Sequence, residues 1–186
     1  NWITLPVKIS DDKKIQNVKI YQPQRNLEKI IITVMDIILF GITGFGNAVL
    51  EELIENNLKP KKIVTRKEKG PDPYLNSKNI IEIANKYKIP VEINKSYVLE
   101  KFDLCIVATY HRLIDLKKSN FSLAFNLHPS LLPKFKGKDP ILKAIEKRAK
   151  YTGVTIHKLT EKFDEGEILY QKKIKIKKLE KKEIIK

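Results

Sequence analysis

The clearest chemical signal in the sequence is an asparagine and a histidine placed two residues apart, Asn126 and His128. They follow the apolar stretch of residues 122–125, which is typical of a buried strand. Side chains alternate between the two faces of a strand, so both polar groups point to one face while Leu127 points into the core. Pro129 ends the strand because proline cannot continue the ladder of hydrogen bonds. The pattern therefore predicts an amide and an imidazole side by side at the carboxyl end of a buried strand, where open α/β sheets place ligands.

Further motifs in the second half of the chain extend this signal. A Ser-Leu-Leu-Pro stretch, a glycine, a Gly-Val-Thr stretch and an Asp-x-Gly stretch follow in that order. Together with Asn-x-His, they resemble the signature of the formyltransferases that use 10-formyltetrahydrofolate, over about residues 35–176. Several spaced motifs in order are much more specific than any one of them. The matching residues are Asn126, His128, Ser130, Leu131, Leu132, Pro133, Gly137, Gly153, Val154, Thr155, Asp164, Glu165 and Gly166.

The resemblance implies that a formyl group moves from 10-formyltetrahydrofolate to a primary amine through a tetrahedral oxyanion. The Asn126 amide can donate a hydrogen bond to that oxygen, and protonated His128 can donate a charge-assisted one. Asp164 can accept from His128, hold its ring and help to pass the amine proton away through water. A histidine satisfied at a strand end and an aspartate in a turn are the structural alternative. No metal is expected, because His128, His157 and Asp164 lack a familiar ligand spacing, and His157 is expected to be structural.

The resemblance also implies a folate slot. The loop around Asp164 and residues 112–114 would hold the pterin largely through backbone groups. Within that stretch, Leu113 and Ile114 could equally be core, and Arg112 a surface cation. The Ser-Leu-Leu-Pro residues and Gly137 would shape the cleft near the folate and the acceptor, and Gly166 would let the Asp164 loop turn sharply. Relatives often carry an aromatic residue and an arginine where this chain has residues 134–137. The lysines of this chain keep the positive charge there but cannot form the two parallel hydrogen bonds of an arginine.

A glycine turn over residues 41–46 follows a predicted strand and opens a predicted helix. The backbone amides of Gly41, Thr43 and Gly44 could face an anion, and in a formyltransferase this turn borders the acceptor site. Its spacing departs from Gly-x-Gly-x-x-Gly. Arg66 and Lys67 after the next strand would suit a 2′-phosphate, so an NADP-dependent oxidoreductase is the alternative. That alternative leaves the asparagine, histidine and aspartate unexplained.

The hydrophobic pattern predicts the elements that must position these residues. Strands alternate with helices from Asp36 onward, which predicts a Rossmann-like α/β domain with a mainly parallel central sheet and helices on both faces. Asn76 or Ser77 is expected to cap the second helix, and Asp139 the third, with Pro140 in its first turn. The predicted strands span residues 36–40, 62–65, 90–93, 102–108, 122–128, 152–159 and 167–176, and the predicted helices residues 48–54, 80–87 and 139–148.

The 186 residues suffice for one domain with a proper core. Residues 35–176 are expected to be the catalytic domain and residues 177–186 the start of a truncated C-terminal helix. Residues 1–34 are an uncertain N-terminal extension with two short strands, around residues 3–7 and 18–21, and could be translated sequence upstream of a start at Met35. No run is long enough to span a bilayer, no secretory signal is present, and the single Cys105 fits a reducing compartment, so a cytoplasmic protein is expected.

The net charge of +15 raises the possibility of nucleic-acid binding. More than half of it lies in residues 1–34 (+3) and 172–186 (+6), which is more typical of a solvated surface. Relatives act on methionyl-tRNA, on amino sugars attached to nucleotides or on glycinamide ribonucleotide, and others hydrolyse the formyl donor. Methionyl-tRNA enzymes tend to have a long basic loop after the second strand and a C-terminal barrel, whereas residues 66–76 form a short loop here. The sequence leaves a sugar-nucleotide amine and methionyl-tRNA open as acceptors, with an RNA-binding module as a non-catalytic alternative.

Overall fold

The computed structural model describes residues 2–7, 16–21, 35–67 and 79–176. The chain divides into two compact units, Asn1–Val34 and Met35–Lys186. The described part of the first unit is a pair of antiparallel strands, β1 (Trp2–Val7) and β2 (Gln16–Tyr21), where two short strands were predicted. The predicted C-terminal helix of residues 177–186 lies outside the described residues.

The second unit is built on a seven-stranded sheet in the order β5-β4-β3-β6-β7-β8-β9. The five strands from β5 to β7 are parallel, and β8 and β9 add antiparallel pairs at one side. The expected mainly parallel α/β fold is thus confirmed. The elements are β3 (Ile37–Gly41), α1 (Phe45–Glu55), β4 (Lys62–Thr65), α2 (Ile80–Lys86), β5 (Val91–Ile93), β6 (Lys101–Ala108), β7 (Asn120–His128), α3 (Pro140–Glu146), β8 (Tyr151–Lys158) and β9 (Ile168–Lys175).

Two apolar clusters form the core, one on each face of the sheet. Ile37 and Leu39 of β3 belong to the first cluster, and Ile38 and Phe40 belong to the second, as strand alternation requires. Helices α1 and α2 cover the first face. The side chains that complete the second cluster come from irregular segments of the chain, so loops pack against this face. These side chains are Val98, Tyr110, Ile114, Leu116 and Leu159.

The two predicted helix caps differ from those in the structure. Asn79 caps α2, because its Oδ1 accepts a hydrogen bond from the Ile81 amide at 2.9 Å, whereas residues 76 and 77 lie outside the described residues. Asp139 precedes α3 with a φ of 51° and makes no side-chain capping bond, so the predicted cap was wrong. Pro140 does occupy the first turn, as predicted, because its fixed φ and missing N–H suit that position.

No helix in the described ranges is long and apolar enough to cross a bilayer.

Candidate active site

Asn126 and His128 lie at the carboxyl end of β7, between β6 and β8. Strand β8 runs antiparallel to β7, and the register places His157 directly opposite Asn126 and Thr155 opposite His128. Directly opposite residues share a face of the sheet, so Asn126, His128 and His157 project to the same side. The alternation predicted from the sequence thus positions the amide and the imidazole, and the antiparallel neighbour adds a second imidazole.

Asp164 reaches this cluster from the loop between β8 and β9. Its φ of 54° lies in the left-handed region, which aspartate tolerates better than most residues. The carboxylate Oδ1 lies 3.2 Å from Asn126 Nδ2 and 3.3 Å from His128 Nδ1. Oδ2 accepts a hydrogen bond from the Gly137 amide at 2.8 Å. The expected convergence of an amide, an imidazole and a carboxylate from separate parts of the chain is therefore present.

Both ring nitrogens of His128 face hydrogen-bond acceptors. Nδ1 faces the Asp164 carboxylate, and Nε2 lies 3.0 Å from the carbonyl oxygen of Phe135. Phe135 has a φ of 57°, which turns its carbonyl toward the ring. A neutral imidazole has a single N–H, so both contacts are satisfied only by the imidazolium, in which both nitrogens donate. The surroundings of His128 therefore suit a charged hydrogen-bond donor.

Asn126 uses both hydrogens of its amide group inside the site. Nδ2 donates to Asp164 Oδ1 at 3.2 Å and lies 2.9 Å from His157 Nε2. The expected hydrogen bond to an oxyanion therefore requires that Asn126 release one of these two partners. The bond to Asp164 is the longer of the two.

The acidity of Asp164 follows from its neighbours. Burial alone would raise the pKa of its carboxyl, because burial disfavours the charged form. The hydrogen bond from the Gly137 amide and the positive charge of protonated His128 act against burial and hold this pKa below its ordinary value. Asp164 is therefore ionised at neutral pH and can act as a hydrogen-bond acceptor.

We expect the stability cost of Asp164→Asn to depend on pH. A carboxyl whose pKa is lowered in the folded state adds stability above its unfolded pKa, and this stability is lost as the pH falls through the folded pKa. Asparagine keeps the size of aspartate and tolerates the left-handed conformation. The parent should therefore be more stable than the variant at neutral pH, with a difference that shrinks below about pH 4, near the ordinary aspartate pKa. Urea unfolding over this range measures it, and a difference independent of pH would contradict the expectation.

The Ser-Leu-Leu-Pro segment is fastened to the sheet by its own polar groups. The Ser130 hydroxyl donates to the Lys134 carbonyl at 2.7 Å, and the Leu132 amide donates to the Thr155 hydroxyl at 3.1 Å. The side chains of Ser130 and Leu132 are buried, so they hold the loop in place rather than face a ligand. Leu131 packs over Gly153, where a Cβ would lie 2.6 Å from its Cδ2, and Pro133 follows a cis peptide bond and is exposed. These contacts fix the backbone of the segment, and its role in shaping a cleft near the folate and the acceptor stays a prediction.

Of residues 112–114, one is buried in the core and two are exposed. Ile114 is 4% exposed and belongs to the second core cluster, so its predicted ligand contact does not hold for the side chain. Leu113 is 44% exposed, and Arg112 is also exposed. Tyr110 anchors the start of this segment, because its hydroxyl donates to the Lys95 carbonyl at 2.6 Å, and burial raises the pKa of Tyr110 to about 12. Leu113 and Arg112 remain predicted folate contacts.

The glycine turn connects β3 to α1, as predicted. Gly44 precedes α1 with a φ of 100°, a conformation that favours glycine. A Cβ on Gly46 would lie 3.3 Å from Gly41, so both glycines allow the helix to approach the strand closely. The Thr43 hydroxyl accepts a hydrogen bond from the Ile80 amide at 3.2 Å and so ties the turn to α2. The acceptor contacts of Gly41, Thr43 and Gly44 stay predictions.

A cavity of about 420 Å³ lies on the other face of the sheet. Leu127 and Ile156 line it, together with apolar side chains of α1 and β6 and with Glu52. Leu127 alternates with Asn126 and His128 along β7, so this cavity does not open onto the polar cluster. Within the described ranges, no group of three or more His, Cys, Asp and Glu side chains could hold a metal ion.

Three contacts of the site were not predicted from the sequence. They are those of His157 with Asn126, of the Phe135 carbonyl with His128 and of the Gly137 amide with Asp164. His157 was predicted to be structural. The signal for His157 was its position two residues after Thr155 on a strand, which places it opposite Asn126 once the antiparallel register is known.

Comparisons with known proteins agree with this geometry. A family model described as formyl transferase matches residues 37–186. The methionyl-tRNA formyltransferase of Thermotoga maritima is 33% identical over 155 residues, which cover 76% of this chain and 50% of that protein. The enzyme of the same name from Pseudothermotoga lettingae is 35% identical over 151 residues, covering 76% of this chain and 49% of that protein. The chain therefore spans about half the length of the curated relatives it matches.

Solved structures share the fold. An N-formyltransferase from Helicobacter canadensis, in complex with folinic acid and dTDP-3-aminofucose, has a TM-score of 0.62 at 24% identity, covering 76% of this chain and 53% of that one. A phosphoribosylglycinamide formyltransferase from Bacillus halodurans has a TM-score of 0.59 at 24% identity, covering 81% of this chain and 85% of that one.

Proposed function

Because the chain belongs to the formyl transferase family of enzymes, we propose that it transfers a formyl group from 10-formyltetrahydrofolate to the amino group of methionyl-tRNA. The observation that carries the proposal is the Asp164 carboxylate, whose Oδ1 lies within hydrogen-bonding distance of both Asn126 and His128. Formyl transfer would use this cluster, whereas an oxidoreductase would not need it.

The residues of the site can divide the reaction between them. The acceptor amine forms a bond to the formyl carbon, and the formyl oxygen becomes an oxyanion. Asn126 Nδ2 donates to it on releasing Asp164, and His128 Nε2 donates to it on releasing the Phe135 carbonyl. Asp164 keeps His128 oriented and accepts the amine proton through water. When the oxyanion reforms the carbonyl, the bond to the folate nitrogen breaks, and that nitrogen takes up a proton.

Sequence similarity favours methionyl-tRNA as the acceptor. Three curated relatives that are 33–35% identical to this chain are methionyl-tRNA formyltransferases. The Helicobacter canadensis structure, which contains an amino-sugar nucleotide, is 24% identical and shares the fold only. An amino-sugar nucleotide is the second candidate, because the Helicobacter canadensis structure holds both a folate and such an acceptor.

Acceptor competition tests the proposal. The full chain is mixed with 10-formyltetrahydrofolate and either charged initiator tRNA or a dTDP-linked amino sugar, and formylated products are separated by acid gel or by chromatography. Formyl-methionyl-tRNA is the expected product, with uncharged tRNA and an N-acetylated amino sugar as blanks. Formylation of the sugar alone would move the assignment to the second candidate. Release of formate without any acceptor would instead identify a hydrolase.

We also propose that residues 35–176 form the catalytic domain and that residues 1–34 are dispensable for it. Deleting residues 1–34 should leave one cooperative thermal transition and an unchanged rate of formyl transfer, because the two compact units divide between Val34 and Met35. Calorimetry and the formylation assay on the shortened chain measure both. Loss of the cooperative transition would show that the first unit is needed for folding.

A further inference from the structure

We propose that His157 is a positioning residue for formyl transfer, which holds the Asn126 amide in one orientation through a single neutral tautomer. This role rests on the proposed function, in which Asn126 donates to the oxyanion. His157 lies opposite Asn126 in the sheet and is only 1% exposed. Its ring is therefore too deeply buried to contact a ligand directly.

The tautomer of His157 follows from the contact of its other nitrogen. Nδ1 lies 2.8 Å from the carbonyl oxygen of Lys158. A carbonyl oxygen only accepts, so Nδ1 carries the ring hydrogen. In the neutral ring Nε2 is then an acceptor and lies 2.9 Å from Asn126 Nδ2, whereas Asp164 Oδ1 is 3.7 Å from Nε2, beyond hydrogen-bonding distance. The backbone of the neighbouring residue thereby makes His157 an acceptor toward Asn126.

The orientation of an asparagine amide is decided by its partners, because its nitrogen and oxygen have nearly the same shape. With nitrogen inward, Asn126 donates one hydrogen to His157 and the other to Asp164 Oδ1. The opposite orientation would place the amide oxygen against the lone pair of His157 and against an ionised carboxylate. Both contacts would be repulsive. His157 and Asp164 therefore select the same orientation, and His157 does so without taking part in the chemistry.

This arrangement explains how Asn126 can donate to a developing oxyanion. The hydrogen bond to His157 is shorter than the one to Asp164, 2.9 Å against 3.2 Å. When the second hydrogen turns to the oxyanion, Asp164 keeps its contacts with the Gly137 amide and with His128. Asn126 meanwhile stays anchored on His157. One hydrogen bond fixes the amide while the other becomes available.

The packing around the ring supports a fixed role. A Cβ on Gly166 would lie 2.9 Å from His157 Nδ1, so the glycine leaves the space that the ring occupies. Burying an imidazole is costly unless its polar atoms are satisfied, and both nitrogens of His157 have partners.

Two substitutions test the roles of the two ring nitrogens of His157 separately. In His157→Asn, the side-chain amide can still donate to the Lys158 carbonyl from the position of Nδ1, but the acceptor for Asn126 is lost. In His157→Gln, the longer side chain brings an acceptor oxygen close to the position of Nε2. We expect His157→Asn to lower kcat by about 10–100-fold, the scale of a misplaced catalytic group, with the KM for the donor within about twofold of the parent. His157→Gln should recover most of this loss.

A matched control comes from the same strand. Ile156 faces the opposite side of the sheet and lines the apolar cavity there. Ile156→Val should lower the thermal stability while leaving kcat unchanged. This variant measures how much a loss of stability in β8 alone affects turnover. If His157→Asn and Ile156→Val change kcat alike at equal loss of stability, or if His157→Asn turns over as fast as the parent, His157 is structural only.

Nuclear magnetic resonance tests whether His157 positions the Asn126 amide without relying on an activity assay. Long-range proton–nitrogen spectra of the full chain should show His157 neutral with the hydrogen on Nδ1, and the Asn126 side-chain amide signals should shift in His157→Asn and return in His157→Gln. A hydrogen on Nε2 would overturn the proposal. If the spectra agree with the expectation but the parent transfers no formyl group, the proposed function fails while the anchoring of Asn126 stands.

Discussion

Replacing His128 by alanine is expected to lower kcat by about 10²–10³-fold, the usual cost of removing one oxyanion donor. The His128 imidazole can bring a positive charge to the oxyanion, and it also contacts the Asp164 carboxylate at 3.3 Å. Asn126→Ala should cause a loss of similar size, because it removes the second donor. Single-turnover formylation at saturating donor measures the chemical step directly.

The double variant provides the control for this expectation. Asn126 and His128 both contact Asp164 Oδ1 and would act on one oxyanion, so their effects should not add. We expect the double variant to lose less than the product of the two single losses. Circular dichroism and thermal unfolding must show that each variant is folded, because His128 is buried and bonds the Phe135 carbonyl. If both single variants transfer formyl groups as fast as the parent, the assigned roles are wrong.

Replacing Gly166 by alanine is expected to damage both stability and activity. The added Cβ would lie 1.7 Å from the Lys158 carbonyl oxygen and 2.8 Å from its carbonyl carbon. These are backbone atoms of β8 and cannot move aside as a flexible side chain would. The loop that carries Asp164 must therefore shift away from His128. Overpacking typically costs about 1–3 kcal/mol and occasionally more, and denaturant unfolding together with the formylation assay measures both effects.

Gly137→Ala is the matched control for Gly166→Ala. A Cβ on Gly137 would meet only Lys143 Nζ, at 3.9 Å, so space is available. Its φ of 76° costs an alanine about 1–2 kcal/mol, but the backbone N–H that binds Asp164 is retained. We therefore expect Gly137→Ala to lower stability modestly and to keep most of the activity. A Gly166→Ala protein as stable and active as the Gly137→Ala protein would show that the approach of the Lys158 backbone does not require glycine at position 166.

The role of Gly166 differs from the one that its sequence position suggested. The Asp-x-Gly motif predicted a glycine that allows a sharp turn. In the structure the left-handed residue of this loop is Asp164, and Gly166 is required because the Lys158 backbone approaches it. Glycine is the residue type that the motif predicted, but the reason for it is a contact between the loop and the end of β8.

The sequence by itself determined the parts of this protein that depend on neighbouring residues. Alternation along β7 put Asn126 and His128 on one face, and the glycine turn and Pro140 marked the starts of α1 and α3. The tertiary structure decided which polar groups meet. Asn126 is 31 residues from His157 and 38 from Asp164, so these contacts depend on the β7–β8 register and on the closure of the loop that follows. Local patterns cannot specify such a register, because it arises from the packing of the whole sheet, and for that reason the anchoring histidine became visible only in three dimensions.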